Sequence, residues 1–199
     1  MDPRTERLIL GLGNPGERYR DTRHNVGFLV IEELARRWGV GLDRRECNSF
    51  VGEKPGAPGA DGDQPTLLAL PQTYMNRSGW AARCLLESHG LDPAGVLVVY
   101  DEIALPLGKL RLRKSGSPGG HRGLESVIEN LRTDQVPRLR LGVSPEDGPP
   151  RGEDLVEFVL APFPPDQREA VDEMVRRAAD ACEAWLKEGA EAAMMRFNG

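Results

Sequence analysis

Cysteine and histidine are both scarce in this chain, with three of each among 199 residues. Cys47, Cys84 and Cys182 are odd in number and far apart, which speaks against a disulfide framework and leaves no C-x-x-C pair for zinc or redox chemistry. They read as small buried hydrophobes. His24, His89 and His121 are scattered, no cysteine sits beside a histidine, and no G-x-S-x-G elbow occurs, so metal, thiol and serine-type hydrolysis all lack parts. No run approaches the roughly 18 uncharged apolar residues of a membrane span, and the N-terminus has no apolar signal core. A cytoplasmic protein without a membrane partner is expected. Basic residues are outnumbered 26 to 31, giving a net charge of −5, which taken alone argues against a polyanion partner.

What is present fits an ordinary globule. Apolar residues make up 39% of the chain, enough for a core, and 23 glycines with 16 prolines imply many tight turns. The length suggests one domain over residues 1–199, ending in helices over about 165–197 that Gly189 divides in two. Apolar runs predict strands over 7–13, 49–54, 66–70, 95–101, 109–113 and 138–143, with Leu155–Leu160 as a seventh, edge strand. Helical spacing predicts helices over 26–38, 78–89 and 124–131, the second capped by Ser78 and closed by Gly90. Residues 54–65 and 144–154 read as mobile loops. The alternation gives an α/β class with a twisted, partly parallel sheet of about seven strands flanked by helices.

Ligands of open α/β sheets bind beyond the carboxyl ends of the strands. Asn14, Asn76 and Asp101 each follow a predicted strand closely, so three distant polar groups are placed to converge on one crevice. His24 lies in the loop before the first helix. A carboxylate holding one ring N–H leaves the other nitrogen free to take a proton from water, and Asp101 is suited to that task. Asn14 and Asn76 carry amides that can donate to a developing oxyanion, although Asn14 in Asn-Pro-Gly also suits a plain turn and Asn76 a helix start. Tyr74 can stack on a base or be half-buried.

Two further motifs compete. Gly11-Leu-Gly13-Asn-Pro-Gly16 matches the G-x-G-x-x-G of dinucleotide sites, but Pro15 removes an N–H donor and the helix that should open there starts several residues late. The densest basic run is Lys109-Leu-Arg111-Leu-Arg113-Lys114, whose alternation puts Lys109, Arg111 and Arg113 on one side of a strand, as a phosphate contact or an ordinary solvated face.

Taken in order, Gly11–Gly16, Thr22-Arg-His-Asn-Val-Gly-Phe28, Pro71-Gln-Thr-Tyr-Met-Asn-Arg-Ser-Gly79, Asp101-Glu and Gly119-Gly-His-Arg-Gly-Leu124 resemble the motifs of the bacterial peptidyl-tRNA hydrolases over nearly the whole chain. The resemblance implies hydrolysis of the ester between a peptide and the 3′-terminal ribose of tRNA, with neither metal nor cofactor, recycling tRNA from peptidyl-tRNA released prematurely by ribosomes, and nothing in the sequence demands more than a monomer. It implies that His24 is the general base, that Asp101 stabilises its proton-accepting form, that Asn14 distinguishes blocked from unblocked aminoacyl-tRNA, and that Asn76 orients the substrate. Tyr19 and Tyr74 match positions that touch tRNA, and Arg111, Arg113 and Lys114 then have phosphates to meet. Arg122 stands where many members have asparagine. It keeps donors but loses the acceptor, and reads as a contact to the tRNA 3′ end. A noncatalytic RNA-binding relative of the same fold and a nucleotide-binding oxidoreductase are the alternatives.

Overall fold

The computed structural model describes residues 7–56, 64–149, 152 and 154–199. Residues 57–63, 150, 151 and 153, and with them parts of the two expected loops, lie outside that set. The described strands are β1 (Arg7–Gly11), β2 (Arg44–Glu46), β3 (Ser49–Lys54), β4 (Thr66–Pro71), β5 (Val96–Pro106), β6 (Leu110–Arg113) and β7 (Arg138–Ser144). The helices are α1 (Val26–Trp38), α2 (Ser78–His89), α3 (Arg122–Leu131), α4 (Asp154–Leu160) and α5 (Arg168–Phe197).

All seven strands form one mixed sheet in the order β2-β3-β4-β1-β5-β7-β6. Its central four, β4, β1, β5 and β7, run parallel, and antiparallel β3, β2 and β6 extend the two edges. Parallel strands covered on both faces need apolar side chains on both, which explains the uninterrupted Leu8-Ile9-Leu10, all without solvent exposure. Helices α1 and α5 cover one face through Ile31, Leu34, Met174, Ala178 and Trp185. Helices α2 and α3 cover the other through Ala82, Leu85, Leu124 and Val127. Each fully buried leucine or isoleucine contributes about 1.5–3 kcal/mol of burial free energy.

Several expectations need correction. Leu155–Leu160 is not an edge strand but helix α4: Leu155, Val156, Val159 and Leu160 recur at three- and four-residue spacing along the cleft, and Phe158 turns to the core. The seventh strand is β2, a charged edge segment with no alternating pattern of its own, held by pairing Arg44 with Val51 and Glu46 with Ser49. Ser78 does not cap α2. It is the first helical residue, and its hydroxyl donates to the Met75 carbonyl at 2.9 Å. Gly90 closes α2 in the left-handed region as expected, and Gly189 breaks the helix of α5 at φ 82°, ψ 174°. Cys47 and Cys84 are not independent thiols: they form a disulfide between the β2–β3 turn and the outer face of α2, 37 residues apart. Only Cys182 is the expected buried free thiol, and burial pushes its pKa up.

Candidate active site

Register creates the crevice. In the ladder between β1 and β5 the final partners are Gly11 and Val99, so Asp101 stands past the end of β1. It is not the end of its own strand, as the sequence suggested. β5 runs on to Pro106 with a register shift against β7 after Glu102.

The chain leaving β1 turns through Leu12-Gly13-Asn14 directly against the start of α1. A Cβ on Gly11 would sit 2.5 Å from the Gly27 carbonyl oxygen, and one on Gly13 would lie 2.7 Å from the Phe28 ring. The glycines of the G-x-G motif therefore serve strand-to-helix packing, and the dinucleotide reading loses its basis.

A short 3-10 turn, Arg23–Asn25, precedes α1 and brings His24 over β5. His24 Nδ1 lies 2.8 Å from Asp101 Oδ1. Since the carboxylate only accepts, Nδ1 carries the proton and Nε2 keeps its lone pair. The same Oδ1 also lies 2.9 Å from Nε2 of His121. His121 caps α3 by accepting from Leu124 N at 3.2 Å on Nδ1, which fixes its Nε2–H tautomer. Asp101 thus accepts from two imidazoles in a setting where only 1% of its side chain is exposed. Burial would raise its pKa, but the two histidines hold it well below the usual carboxylate range. For His24 burial acts downward, yet the charge of Asp101 and the hydrogen bond to it prevail and hold the pKa above its ordinary 6.5.

Asn14 is locked just as firmly. Its Oδ1 accepts from Met75 N at 2.8 Å, and its own backbone N–H and C=O pair with the side chain of Asn25, each at 2.9 Å. The flip of the amide is therefore determined, and Nδ2 is left as the donor. Met75 belongs to the 3-10 turn Met75–Arg77 that also presents Asn76. One bond thus couples the loop after β1 to the loop after β4.

The neighbouring Arg23 secures the far wall. Its guanidinium donates to the carbonyls of Phe158, Ala161 and Pro162 at 3.1–3.3 Å and lies over the rings of Phe158 and Phe163. These are the last carbonyls of α4 and the residues after it, where a cation is favoured.

The resulting cleft encloses about 610 Å³ and is lined by Asn14, His24, Tyr74, Asn76, Asp101 and Arg122, with Leu155, Val156, Val159 and Leu160 of α4 as an apolar wall. Six of the expected residues therefore meet. Tyr19 does not line the cleft. It is half-buried on the connection to His24, with the Arg18 guanidinium 4.5 Å from its ring centre. Arg111 and Arg113 share the outer side of edge strand β6, also away from the cleft. Lys109 precedes β6 rather than belonging to it, and Lys114 is ion-paired with Glu191.

Sequence reasoning missed three parts of the site. His121 was in view only as one letter of a motif, and the signal for it was a third histidine next to glycines. Asn25 stood beside His24 without being singled out. The apolar wall was hidden by reading α4 as a strand.

Among the described residues His24, Asp101 and His121 are the group whose ligand atoms, all within 4.8 Å of one another, suit a metal ion. His24 Nδ1, Asp101 Oδ1 and both ring nitrogens of His121 are engaged in the hydrogen bonds described above.

The chain matches the peptidyl-tRNA hydrolase family over residues 8–199. It is 51% identical over 194 residues to the peptidyl-tRNA hydrolase of Synechococcus sp. (strain JA-3-3Ab), covering 96% of this chain and 82% of that protein. Against the peptidyl-tRNA hydrolase of Methylacidiphilum infernorum (isolate V4) the identity is 42%, covering 96% and 97%. The crystal structure of peptidyl-tRNA hydrolase from Acinetobacter baumannii superposes with a TM-score of 0.86 at 29% identity, covering 100% of this chain and 97% of that one. With the fold, the cleft and nearly the full length in agreement, the chain belongs to the peptidyl-tRNA hydrolase family.

Proposed function

We propose that this protein hydrolyses the ester between a peptide and the 3′-terminal ribose of tRNA, with water activated by His24 as the nucleophile. The observation that carries the reading is the Asp101–His24 hydrogen bond, which leaves Nε2 of His24 as an acceptor in the cleft. Water attacks the ester carbonyl carbon while its proton passes to Nε2. The tetrahedral oxyanion is met by the Nδ2–H of Asn14, whose orientation is already set by Met75. Collapse breaks the bond to the ribose oxygen, which takes the proton back from His24. The peptide leaves as a carboxylic acid and the tRNA with a free hydroxyl. Water, His24 and Asp101 supply this chemistry with no cofactor or metal ion in the route.

The rest of the cleft suits the substrate. Asn76 and Tyr74 are exposed on its rim, where an amide and a ring can hold the unpaired 3′ end by hydrogen bonding and stacking. Arg122 is exposed at the start of α3 and offers donors only. Arg111 and Arg113 on β6, with Lys114 once it leaves Glu191, meet the phosphate backbone of the acceptor arm, and Tyr19 contacts tRNA beside the cleft. No described helix is long and apolar enough to cross a membrane. A monomer acting in the cytoplasm, returning tRNA from prematurely released peptidyl-tRNA to translation, is the corresponding role.

The test is release of the acyl group from an N-blocked aminoacyl-tRNA, with the unblocked form alongside. Turnover of the blocked form alone supports the reading. Salt-sensitive tRNA binding without turnover would replace it with a noncatalytic RNA-binding role.

A further inference from the structure

Strand β7 buries a guanidinium that forms no ion pair among the described residues, the charge of Asp134 acting on it from beyond ion-pair distance. Arg138 is 2% exposed. Its Nε donates to the Val136 carbonyl at 3.0 Å, Nη2 to that of Asp134 at 2.8 Å, and Nη1 to those of Gly116 and Ser117 at 2.5 and 3.2 Å. Every acceptor is a main-chain carbonyl, two in the turn before β7 and two in the loop after β6. Burying a charge in this way is expensive unless its geometry satisfies many acceptors at once, and the planar fork of arginine is the side chain that can.

The loop it grips has little stiffness of its own. Gly116, Gly119 and Gly120 all have positive φ, at 135°, 59° and 83°, so the backbone has many alternatives. Its next residue is His121, which shares Asp101 with His24 and packs 4.6 Å from the Tyr100 ring. We propose that Arg138 is a positioning residue for the hydrolysis: by pinning Gly116 and Ser117 it delivers His121 to Asp101 and so sets how strongly Asp101 holds the proton on His24.

This rests on His24 as the base. The titratable and charged groups around it are Asp101 and His121 in direct contact, Tyr100 behind His121, and Glu102 and Arg122 along the cleft, with Glu102 engaged by Arg140. When His121 leaves, the carboxylate charge is less shared and attracts the His24 proton more strongly. The acid limb of the pH profile then moves to higher pH.

Three variants test this. Arg138→Lys removes the fork. Gly116→Ala leaves the guanidinium intact but strains the loop at its positive φ, and guards against a folding defect in the first variant. His121→Asn keeps a cap for α3 but is too short for Asp101. All three are expected to move the acid limb of kcat/KM upward by about half a pH unit. Arg138→Lys should lower kcat/KM about tenfold alone but less than about twofold in the His121→Asn background, the non-additivity of two residues acting through one contact.

Loss of thermal stability in Arg138→Lys and Gly116→Ala with an unmoved acid limb would overturn the proposal, as would additive losses with His121→Asn. An unmoved limb in His121→Asn itself would overturn it too. Failure of the underlying reading shows separately, as turnover retained by His24→Ala.

Discussion

His24 and His121 donate to the same oxygen, Oδ1 of Asp101, from 2.8 and 2.9 Å. Two imidazoles from distant segments thus share one buried carboxylate. Only His24 has its other ring nitrogen available to the cleft, since Nδ1 of His121 is taken by the N-terminus of α3. The division of labour between the two histidines follows from what holds their second nitrogens.

The carboxylate is therefore expected to matter for its acceptor character and not only for its shape. Asp101→Asn offers an N–H where the wild type only accepts, which favours the wrong tautomer of His24. A loss of kcat of about 10²–10⁴-fold is expected, the range typical of a lost general base, with tRNA binding retained. A kcat within threefold of wild type would show that the His24 tautomer is not set by Asp101.

The same pair links pH to both activity and stability, with opposite signs. The folded pKa of His24 lies above 6.5, so its bond to Asp101 stabilises the fold fully below about pH 6.5 and loses that contribution as pH rises through the folded value. Asp101 titrates well below the usual range, so its contribution is present above about pH 4 and lost only on strong acidification. With His24 as the proposed base, hydrolysis needs its ring unprotonated. Hydrolysis should rise with pH across the window in which the His24 contribution to stability fades. Rate and melting profiles from mildly acidic to mildly alkaline pH check this, and an acid limb below pH 6.5 is incompatible with it.

Asn14 separates fold from chemistry. Asn14→Asp keeps an acceptor for Met75 N but turns the donor proposed for the oxyanion into a second acceptor. Asn14→Ala also leaves the Met75 N–H buried and unpaired, a defect of about 1–3 kcal/mol. Hydrolysis should be lost in both, while the melting temperature should fall clearly in Asn14→Ala and much less in Asn14→Asp. Equal melting temperatures would place the Asn14–Met75 bond outside the stability of the site.

How far the sequence discloses this architecture depends on the range of the forces involved. Helix α1 was readable to its ends because Ile31, Leu34 and Trp38 fall on one face, and in the structure Gly39 closes it in the left-handed region. The crevice was readable because Asn14 and Asn76 trail buried strands, while Asp101 reaches it from within β5, past the end of the shorter β1. Helix α4 was not, since Leu155-Val-Glu-Phe-Val-Leu160 is short and carries two β-branched valines, and the remote Arg23 holds its Phe158 and the two residues that follow it. Strand β2 exists only through its partner β3. The pairing of Cys47 with Cys84 depends on how α2 packs over the sheet, a tertiary relationship with no local signal.

That disulfide leads to a further expectation. Neither cysteine lines the cleft, and the cross-link closes a loop of 37 residues. Loop-closure entropy puts its contribution at up to about 4 kcal/mol. Reduction, or Cys84→Ser, should lower the melting temperature while leaving kcat and KM within about twofold at a temperature where both forms are folded. A large loss of activity without unfolding would couple the cross-link to the cleft in a way these contacts do not support.

The basic strand should act through charge alone. Arg111→Ala with Arg113→Ala is expected to raise KM several-fold, leave kcat nearly unchanged and reduce the dependence of KM on salt, as for phosphate contacts without base readout. An unchanged salt slope would remove β6 from the tRNA interface.

The central claim is that His24 accepts the proton of the attacking water. Single-turnover hydrolysis of an N-blocked aminoacyl-tRNA by wild type and His24→Ala, with binding measured on the same samples, tests it most directly. The rate should fall by about 10²–10⁴-fold while affinity for the tRNA stays within a few-fold. A rate near that of wild type in His24→Ala would contradict the account.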